Sequence, residues 1–140
     1  MTAPIIVGVN ETDTARRAAF SAANLAVALD APLHLVMAVS KTKPQAMTGG
    51  GEHWQIDWLS SAEQFLDALI GELPSRKTTR SVSLKDPATA MCEEAKKLNA
   101  RMIIVGNRRM QGISRVLGAV ASDVARHAPC DVLITYTAAD

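Results

Sequence analysis

The stretch from Arg101 to Thr137 reads RMIIVGNRRMQGISRVLGAVASDVARHAPCDVLITYT. An apolar run ends at Gly106 and is followed by a basic loop, a helical segment and a second apolar run. A buried strand that continues through a glycine-containing loop into a helix is typical of anion sites in α/β proteins, because the helix start offers unpaired N–H groups and the positive end of a dipole. This stretch therefore predicts a strand, a candidate anion-binding loop, a helix and a final strand.

The same alternation of short apolar runs and helical periodicity extends through the rest of the chain. Continuous apolar runs rich in β-branched residues are typical of strands that are buried on both faces of a parallel sheet. The chain therefore predicts one α/β domain over residues 1–140, a doubly wound parallel sheet with right-handed crossovers. The predicted strands are Pro4–Val9, Leu33–Val39, Arg80–Leu84, Met102–Val105 and Val132–Tyr136, and the predicted helices are Ala15–Leu29, His53–Gly71, Pro87 to about Asn99 and about Gly118 to His127.

Local signals indicate where two of these helices begin. Thr12 or Asp13 is a suitable N-cap for the first helix, and Asp86-Pro87 places an N-cap and a first-turn proline before the third. In doubly wound sheets, ligands bind at the carboxyl ends of the strands where the winding direction reverses. We therefore expect the loop after strand one (Gly8–Thr12) to face the loop after strand four (Gly106–Gly118).

Composition limits the class of protein and its partners. The chain has 140 residues, 48% of them hydrophobic, and 15 Lys+Arg against 14 Asp+Glu. Because no long block of like charge is present, a nucleic-acid partner is not expected. The first residues do not resemble a signal peptide and no apolar run reaches the roughly 20 residues of a membrane span, so we expect a cytoplasmic protein without membrane contact.

Three segments of the chain resemble the universal stress protein family. They are Ile5 to Asn10 (IIVGVN), Met102 to Arg109 (MIIVGNRR) and Arg126 to Ile134 (RHAPCDVLI), and the last is the most specific. The resemblance covers essentially the whole chain. It implies a five-stranded sheet of order 3-2-1-4-5, an adenine nucleotide alpha hydrolase-like fold, and a homodimer joined through the last strand, Val132, Leu133, Ile134, Thr135 and Tyr136.

One subgroup of this family binds ATP through a loop of the form G-x2-G-x9-G-[ST], together with an Asp after strand one. Gly106 matches the first glycine and Gly118 the last, but Arg109 replaces the middle glycine and Ala119 the hydroxyl residue. Only eight residues separate Arg109 from Gly118. Asn10 replaces the Asp; its side-chain carbonyl can still accept hydrogen bonds from a ligand, but the charge is lost. The nucleotide-binding residues that the resemblance implies are Gly8, Val9, Asn10, Ala38, Gly106, Asn107, Arg108, Arg109, Gly118, Ala119 and Val120.

These departures leave two functions open. In the first, Arg108 and Arg109 replace the lost glycine contacts through fork-like bonds to phosphate, and the protein is a stress-response regulator that binds ATP or AMP weakly. Mg²⁺ is then expected only if the ligand is ATP. In the second, an arginine fills the cleft, and the protein is a nucleotide-free dimeric scaffold that acts through protein–protein contacts. Without an evident general base, slow ATP hydrolysis is the most that we expect of it as an enzyme.

The remaining motifs favour structural roles. His34, His53 and His127 have no metal-ligand spacing, and Cys92 and Cys130 are interpreted as half-buried small residues. The pairs Glu93-Glu94 and Lys96-Lys97 are interpreted as the solvated face of the third helix. The Gly49-Gly50-Gly51 cluster is interpreted as part of a connector, and whether residues 41–53 form a lid stays open.

Overall fold

The fold was analysed in a computed structural model, which describes residues 2–39, 51–107 and 117–137, with the side chains of 51–57 left out. The described elements alternate regularly between strand and helix. Their bounds are β1 (Ile5–Val9), α1 (Asp13–Leu29), β2 (Leu33–Ala38), α2 (Gly51–Glu72), β3 (Thr78–Ser83), α3 (Pro87–Leu98), β4 (Met102–Asn107), α4 (Ala119–His127) and β5 (Asp131–Tyr136).

The five strands form one parallel sheet in the order β3-β2-β1-β4-β5. This order confirms the one implied by the family resemblance. β1 lies at the centre, where Ile5 pairs with Leu33 of β2 on one side and with Met102 of β4 on the other. The winding direction reverses beside β1, so the carboxyl ends of β1 and β4 form the switch point.

Each face of the sheet is covered by two helices. Ile5, Val7 and Val9 point to a core formed with α1 and α2, whereas Ile6 points to a second core formed with α3 and α4. The buried face of α1 consists of alanines, which lets the helix lie close to the strands. These alanines are Ala15, Ala18, Ala19, Ala22, Ala23 and Ala26.

The helix ends follow the signals in the sequence. The Thr12 hydroxyl accepts a hydrogen bond from the Ala15 N–H at 3.1 Å, and an Asp86 carboxylate oxygen accepts one from the Thr89 N–H at 3.1 Å. Asp30 and Asn99 end α1 and α3 in the left-handed conformation, which these residue types tolerate better than most. Both N-cap predictions are therefore confirmed.

Several boundaries differ from the predicted ones. β4 continues two residues past Val105, because Gly106 and Asn107 still pair with Thr135 and Tyr136 of β5. Helix α2 does not end at Gly71 but continues to Glu72. The expected edge position of the third strand is confirmed, since β3 pairs only with β2 among the described strands.

Candidate functional site

A cleft of about 200 Å³ opens at the carboxyl ends of the central strands. Gly8 and Val9 of β1 and Val105 and Gly106 of β4 form its floor. The walls come from the end of β2, from the loop after β1 and from the first turns of three helices. Those wall residues are Asn10, Thr12, Thr14, Ala15, Val36, Ala38, Pro87, Met91 and Val120.

The structure brings six of the eleven predicted site residues together in this cleft. They are Gly8, Val9, Asn10, Ala38, Gly106 and Val120. Asn107 is buried behind the floor, and Gly118 and Ala119 stand at the start of α4. Arg108 and Arg109 lie outside the described residues, as do Gly112 and residues 41–50 of the suggested lid.

Two of the predicted nucleotide-binding glycines lie close to other side chains. A Cβ at Gly8 would lie 2.6 Å from the sulfur of Met91. A Cβ at Gly106 would lie 3.0 Å from both the Ala18 Cβ and the Thr137 Cγ2. The short side chains of Ala18 and Thr137 have little freedom to move, so Gly106 requires a missing side chain whatever the cleft binds, whereas at Gly8 the end of the flexible Met91 side chain could shift.

The three helix starts that face the cleft are not equally capped. Thr12 caps α1 and Asp86 caps α3 with side-chain oxygens. Gly118, the N-cap residue of α4, has no side chain to do so, and the first intrahelical bond runs from the Ser122 N–H to the Gly118 carbonyl at 2.9 Å. The N–H groups of the first turn of α4 consequently have no acceptor within the helix and carry its positive dipole end.

Asn10 is placed as predicted but is bonded differently. Its side-chain carbonyl oxygen accepts from the Thr12 N–H at 2.8 Å and from the Thr12 hydroxyl at 2.6 Å. We expected this oxygen to accept from a ligand, but both of its lone pairs are already used by Thr12. What Asn10 can offer at the mouth of the cleft is its amide nitrogen, which is a donor.

The described residues around the cleft carry no formal charge, since they comprise small or apolar side chains, one asparagine and two threonines. Within the described parts of the chain, no group of three or more His, Cys, Asp or Glu side chains is arranged to hold a metal ion. The one charged N-cap of these three helices, Asp86, is already hydrogen-bonded to Thr89, and these bonds hold the pKa of its carboxyl below the usual value. An apolar cleft beside a helix start without an N-cap side chain suits a ligand with a flat apolar part and an anionic part.

A buried polar cluster that sequence reasoning missed lies on the α3 side of β2 and β3. His34 is 6% exposed; its Nδ1 lies 2.6 Å from the Thr79 hydroxyl, and its Nε2 lies 3.0 Å from a Glu94 carboxylate oxygen and 3.1 Å from the Ser81 hydroxyl. Burial lowers the pKa of His34, and the bond to Glu94 opposes this only in part. The interpretation of Glu94 as solvated is wrong, because its side chain is 18% exposed and reaches His34.

Glu93 does lie on the exposed face of α3, where it pairs with Lys85 at 2.9 Å. The interpretation of Cys92 and Cys130 is confirmed, since both are free and half-buried, and burial raises the pKa of both thiols. Among the described helices, none has the length and apolar character needed to cross a membrane.

Comparisons with known proteins agree with the fold and with each other. Residues 1–135 match the model of the Universal stress protein family. A universal stress protein of Synechocystis sp. is 29% identical over 97 residues, which are 61% of this chain and 85% of that protein.

Solved structures are also similar over nearly the whole chain. A universal stress protein in complex with cAMP has a TM-score of 0.72 and 24% identity, and the match covers 97% of this chain and 98% of that one. A universal stress protein of Archaeoglobus fulgidus in complex with dAMP has a TM-score of 0.66 and 24% identity, covering 94% and 96%. At this identity the two structures show a shared fold.

Proposed function

The chain belongs to the universal stress protein family, and from this membership we propose that it is a stress-response regulator whose cleft binds an adenine nucleotide, AMP or ATP. The observation that carries the proposal is the uncapped start of α4 beside an apolar cleft. The donors there suit a phosphate and the apolar walls suit a base, so the two parts of one nucleotide match two adjoining parts of the site.

The apolar part of the cleft fits a planar base. Val9, Val36 and Ala38 present small aliphatic groups, and Met91 supplies a polarizable side chain that adapts to a ring. The cleft volume of about 200 Å³ is below the roughly 300 Å³ at which pockets for drug-sized ligands begin. We expect the base and ribose to occupy the cleft and the phosphate to extend toward α4.

The phosphate part of the proposal rests on the starts of the helices. Because Thr12 and Asp86 satisfy first-turn donors of α1 and α3, an anion gains most at α4, where Gly118 leaves the first turn uncapped. The solved relatives in complex with cAMP and dAMP support an adenine nucleotide as the ligand class, since they share this fold.

Isothermal titration with AMP and with ATP, each with Mg²⁺ and with EDTA, tests the proposal. We expect a dissociation constant on the order of micromolar, and AMP binding that EDTA does not change, because the described lining of the cleft is uncharged. Ala38→Phe should abolish binding by filling the cleft, whereas Ala28→Phe, on the exposed face of α1, should not. Absence of both heat and a thermal shift at about millimolar nucleotide would overturn the proposal.

Arg108 and Arg109 follow Asn107 directly in the chain, and their guanidinium groups are candidates for additional phosphate ligands. The double variant Arg108→Ala/Arg109→Ala should weaken AMP binding more than adenosine binding if they act on the phosphate. Equal affinity of the double variant and the unmodified protein for AMP would remove them from the site.

A second candidate function, a dimeric scaffold that acts through protein–protein contacts, is favoured by the outer edge of the sheet. On β5, Leu133 is 42% exposed and Tyr136 is 51% exposed. The other edge strand, β3, instead carries Arg80, which pairs with Asp67 and Glu63 of α2. An apolar edge strand is protected when a second copy of the same strand covers it.

A further inference from the structure

The side chain of Asn107 joins the end of β4 to the start of α4. Asn107 is the last residue of β4 and is 5% exposed. Its side-chain carbonyl oxygen accepts a hydrogen bond from the Gly118 N–H at 3.2 Å. This one bond connects two residues that are eleven positions apart in the chain and lie on either side of residues 108–116.

The two ends of this bond differ in how firmly they are held. Asn107 belongs to the sheet, where it pairs with Tyr136 of β5 and continues the strand that packs beside β1. Gly118 is the N-cap residue of α4 and, because it has no side chain, supplies no cap to the N–H groups of the first turn. The bond therefore holds the first turn of α4 in a fixed position relative to the sheet.

We propose that Asn107 is a positioning residue for the phosphate of the bound nucleotide, because its side-chain carbonyl holds the uncapped start of α4 against the cleft. This inference rests on the proposed nucleotide-binding function and assigns Asn107 a role without direct ligand contact. Fixing donors before the ligand arrives removes an ordering cost from binding, so loss of the bond should weaken binding of the anionic part selectively.

The chemistry of asparagine suits this position. A carboxamide oxygen accepts the Gly118 N–H without bringing a negative charge next to the first-turn N–H groups of α4. An aspartate would accept the same bond more strongly and would favour the helix dipole, but it would also repel a phosphate. Asn107→Asp therefore separates the support of the helix from the binding of an anion.

The other end of the bond offers a matched pair of variants. Gly118 has a φ of −68°, and among the described residues a Cβ there would meet the Asn107 side-chain oxygen at 3.6 Å, which is an ordinary contact. Gly118→Ala keeps the N–H donor and should fit. Gly118→Pro keeps a compatible φ but lacks the donor, so it removes the same bond from the opposite side.

The experiment measures AMP and adenosine affinities of these variants by isothermal titration, with folding checked by circular dichroism. Asn107→Asp should weaken AMP binding by about tenfold or more and leave adenosine binding unchanged. Asn107→Ala and Gly118→Pro should also lower the ratio of AMP to adenosine affinity. Gly118→Ala keeps the N–H donor and should weaken AMP binding less than Gly118→Pro does. Asn24→Asp, an exposed change of the same charge on α1, should match the unmodified protein.

Each of the other results counts against a specific statement. If the unmodified protein binds AMP and Asn107→Asp and Asn107→Ala bind it equally well, the positioning role is wrong while the nucleotide function stands. If the variants lose AMP and adenosine to the same extent, Asn107 supports only the fold and the inference is overturned. If the unmodified protein binds neither ligand, the proposed function fails and this inference fails with it.

Discussion

Gly106 and Gly118 flank the same loop, but the two glycines have different surroundings. A Cβ at Gly106 would lie 3.0 Å from both Ala18 and Thr137, whereas one at Gly118 would make only an ordinary contact, at 3.6 Å from the Asn107 side-chain oxygen, among the described residues. Thr137 is 2% exposed, and its carbonyl accepts a hydrogen bond from Arg17 at 3.1 Å, so it has little room to move. The requirement for glycine at Gly106 is therefore set by packing between α1 and the end of β5.

Gly106→Ala should consequently destabilise the protein by about 1–3 kcal/mol, the usual cost of adding a methyl group to a closely packed site. Gly118→Ala is the matched control and should change the free energy of unfolding little. Urea denaturation of both variants measures the difference. Equal stabilities would mean that α1 can shift away from the sheet and that the contact at Gly106 is not tight.

Asn10 shows what could be predicted from sequence at this scale and what could not. Its place beside the cleft follows from its position directly after a buried strand, and the structure puts it there. Its bonding depends on the path of the backbone through the turn to Thr12, which determines whether an N–H and a hydroxyl reach its carbonyl oxygen. Residue type and spacing alone do not predict the path of the backbone through this turn.

At the scale of single elements, the His34 cluster adds polar contacts to the apolar packing of α3 against the sheet. Glu94 extends from α3 to His34 on β2, and Thr79 and Ser81 on β3 complete its partners. Sequence alone did not connect these residues, because they lie far apart in the chain and meet only when the sheet register is known. The helices and strands themselves were predictable, since each carries its own periodicity and caps.

Acidic pH should lower the free energy of unfolding of the protein through the His34 cluster. Burial depresses the pKa of His34 in the folded state, with Lys97 adding to the effect. As the pH falls, His34 is protonated in the unfolded chain before it is protonated in the folded protein. The contribution of His34 to the free energy of unfolding is therefore fully present above the ordinary histidine pKa of about 6.5, and it is lost as the pH drops toward the folded-state pKa. The loss is about 1.4 kcal/mol for each unit of depression.

Urea denaturation at about pH 7.5 and about pH 5 measures this effect. His34→Gln should reduce the loss of stability between the two values, because glutamine does not titrate. His127→Gln, which alters an exposed histidine on α4, should leave it unchanged. The same pH dependence in His34→Gln and the unmodified protein would show that other groups cause the acid sensitivity.

For the whole molecule, the two edges of the sheet predict how copies of the chain associate. β5 exposes Leu133 and Tyr136, whereas β3 at the other edge is polar and ion-paired. We therefore expect a dimer through β5. Size-exclusion chromatography with light scattering should show a dimer at micromolar concentration, and Leu133→Lys should convert it to a monomer.

Leu84→Lys provides the control for that experiment. Leu84 follows β3 and is 52% exposed, so the substitution makes the same chemical change at the opposite edge and should leave the dimer intact. A monomeric unmodified protein would contradict the proposed association. Dissociation by both variants would mean that added charge, rather than the β5 edge, controls it.

The architecture of the whole chain could be predicted from the sequence more fully than the candidate site could. Alternating strand and helix patterns require a parallel sheet, and the order of its strands came from the resemblance to a family. The role of Asn107 was not accessible, because a bond between a strand end and a helix start depends on how the intervening loop closes.

The central position of β1 has a consequence for how the protein is made. β1 is synthesised first, yet Ile5 pairs on one side with Leu33 and on the other with Met102, which emerges from the ribosome much later. Until β4 is translated, a nascent chain can assemble β1, β2 and β3 but leaves one edge of its most apolar strand open. We therefore expect the late, long-range docking of β4 to limit the folding rate, and chains truncated before it to aggregate.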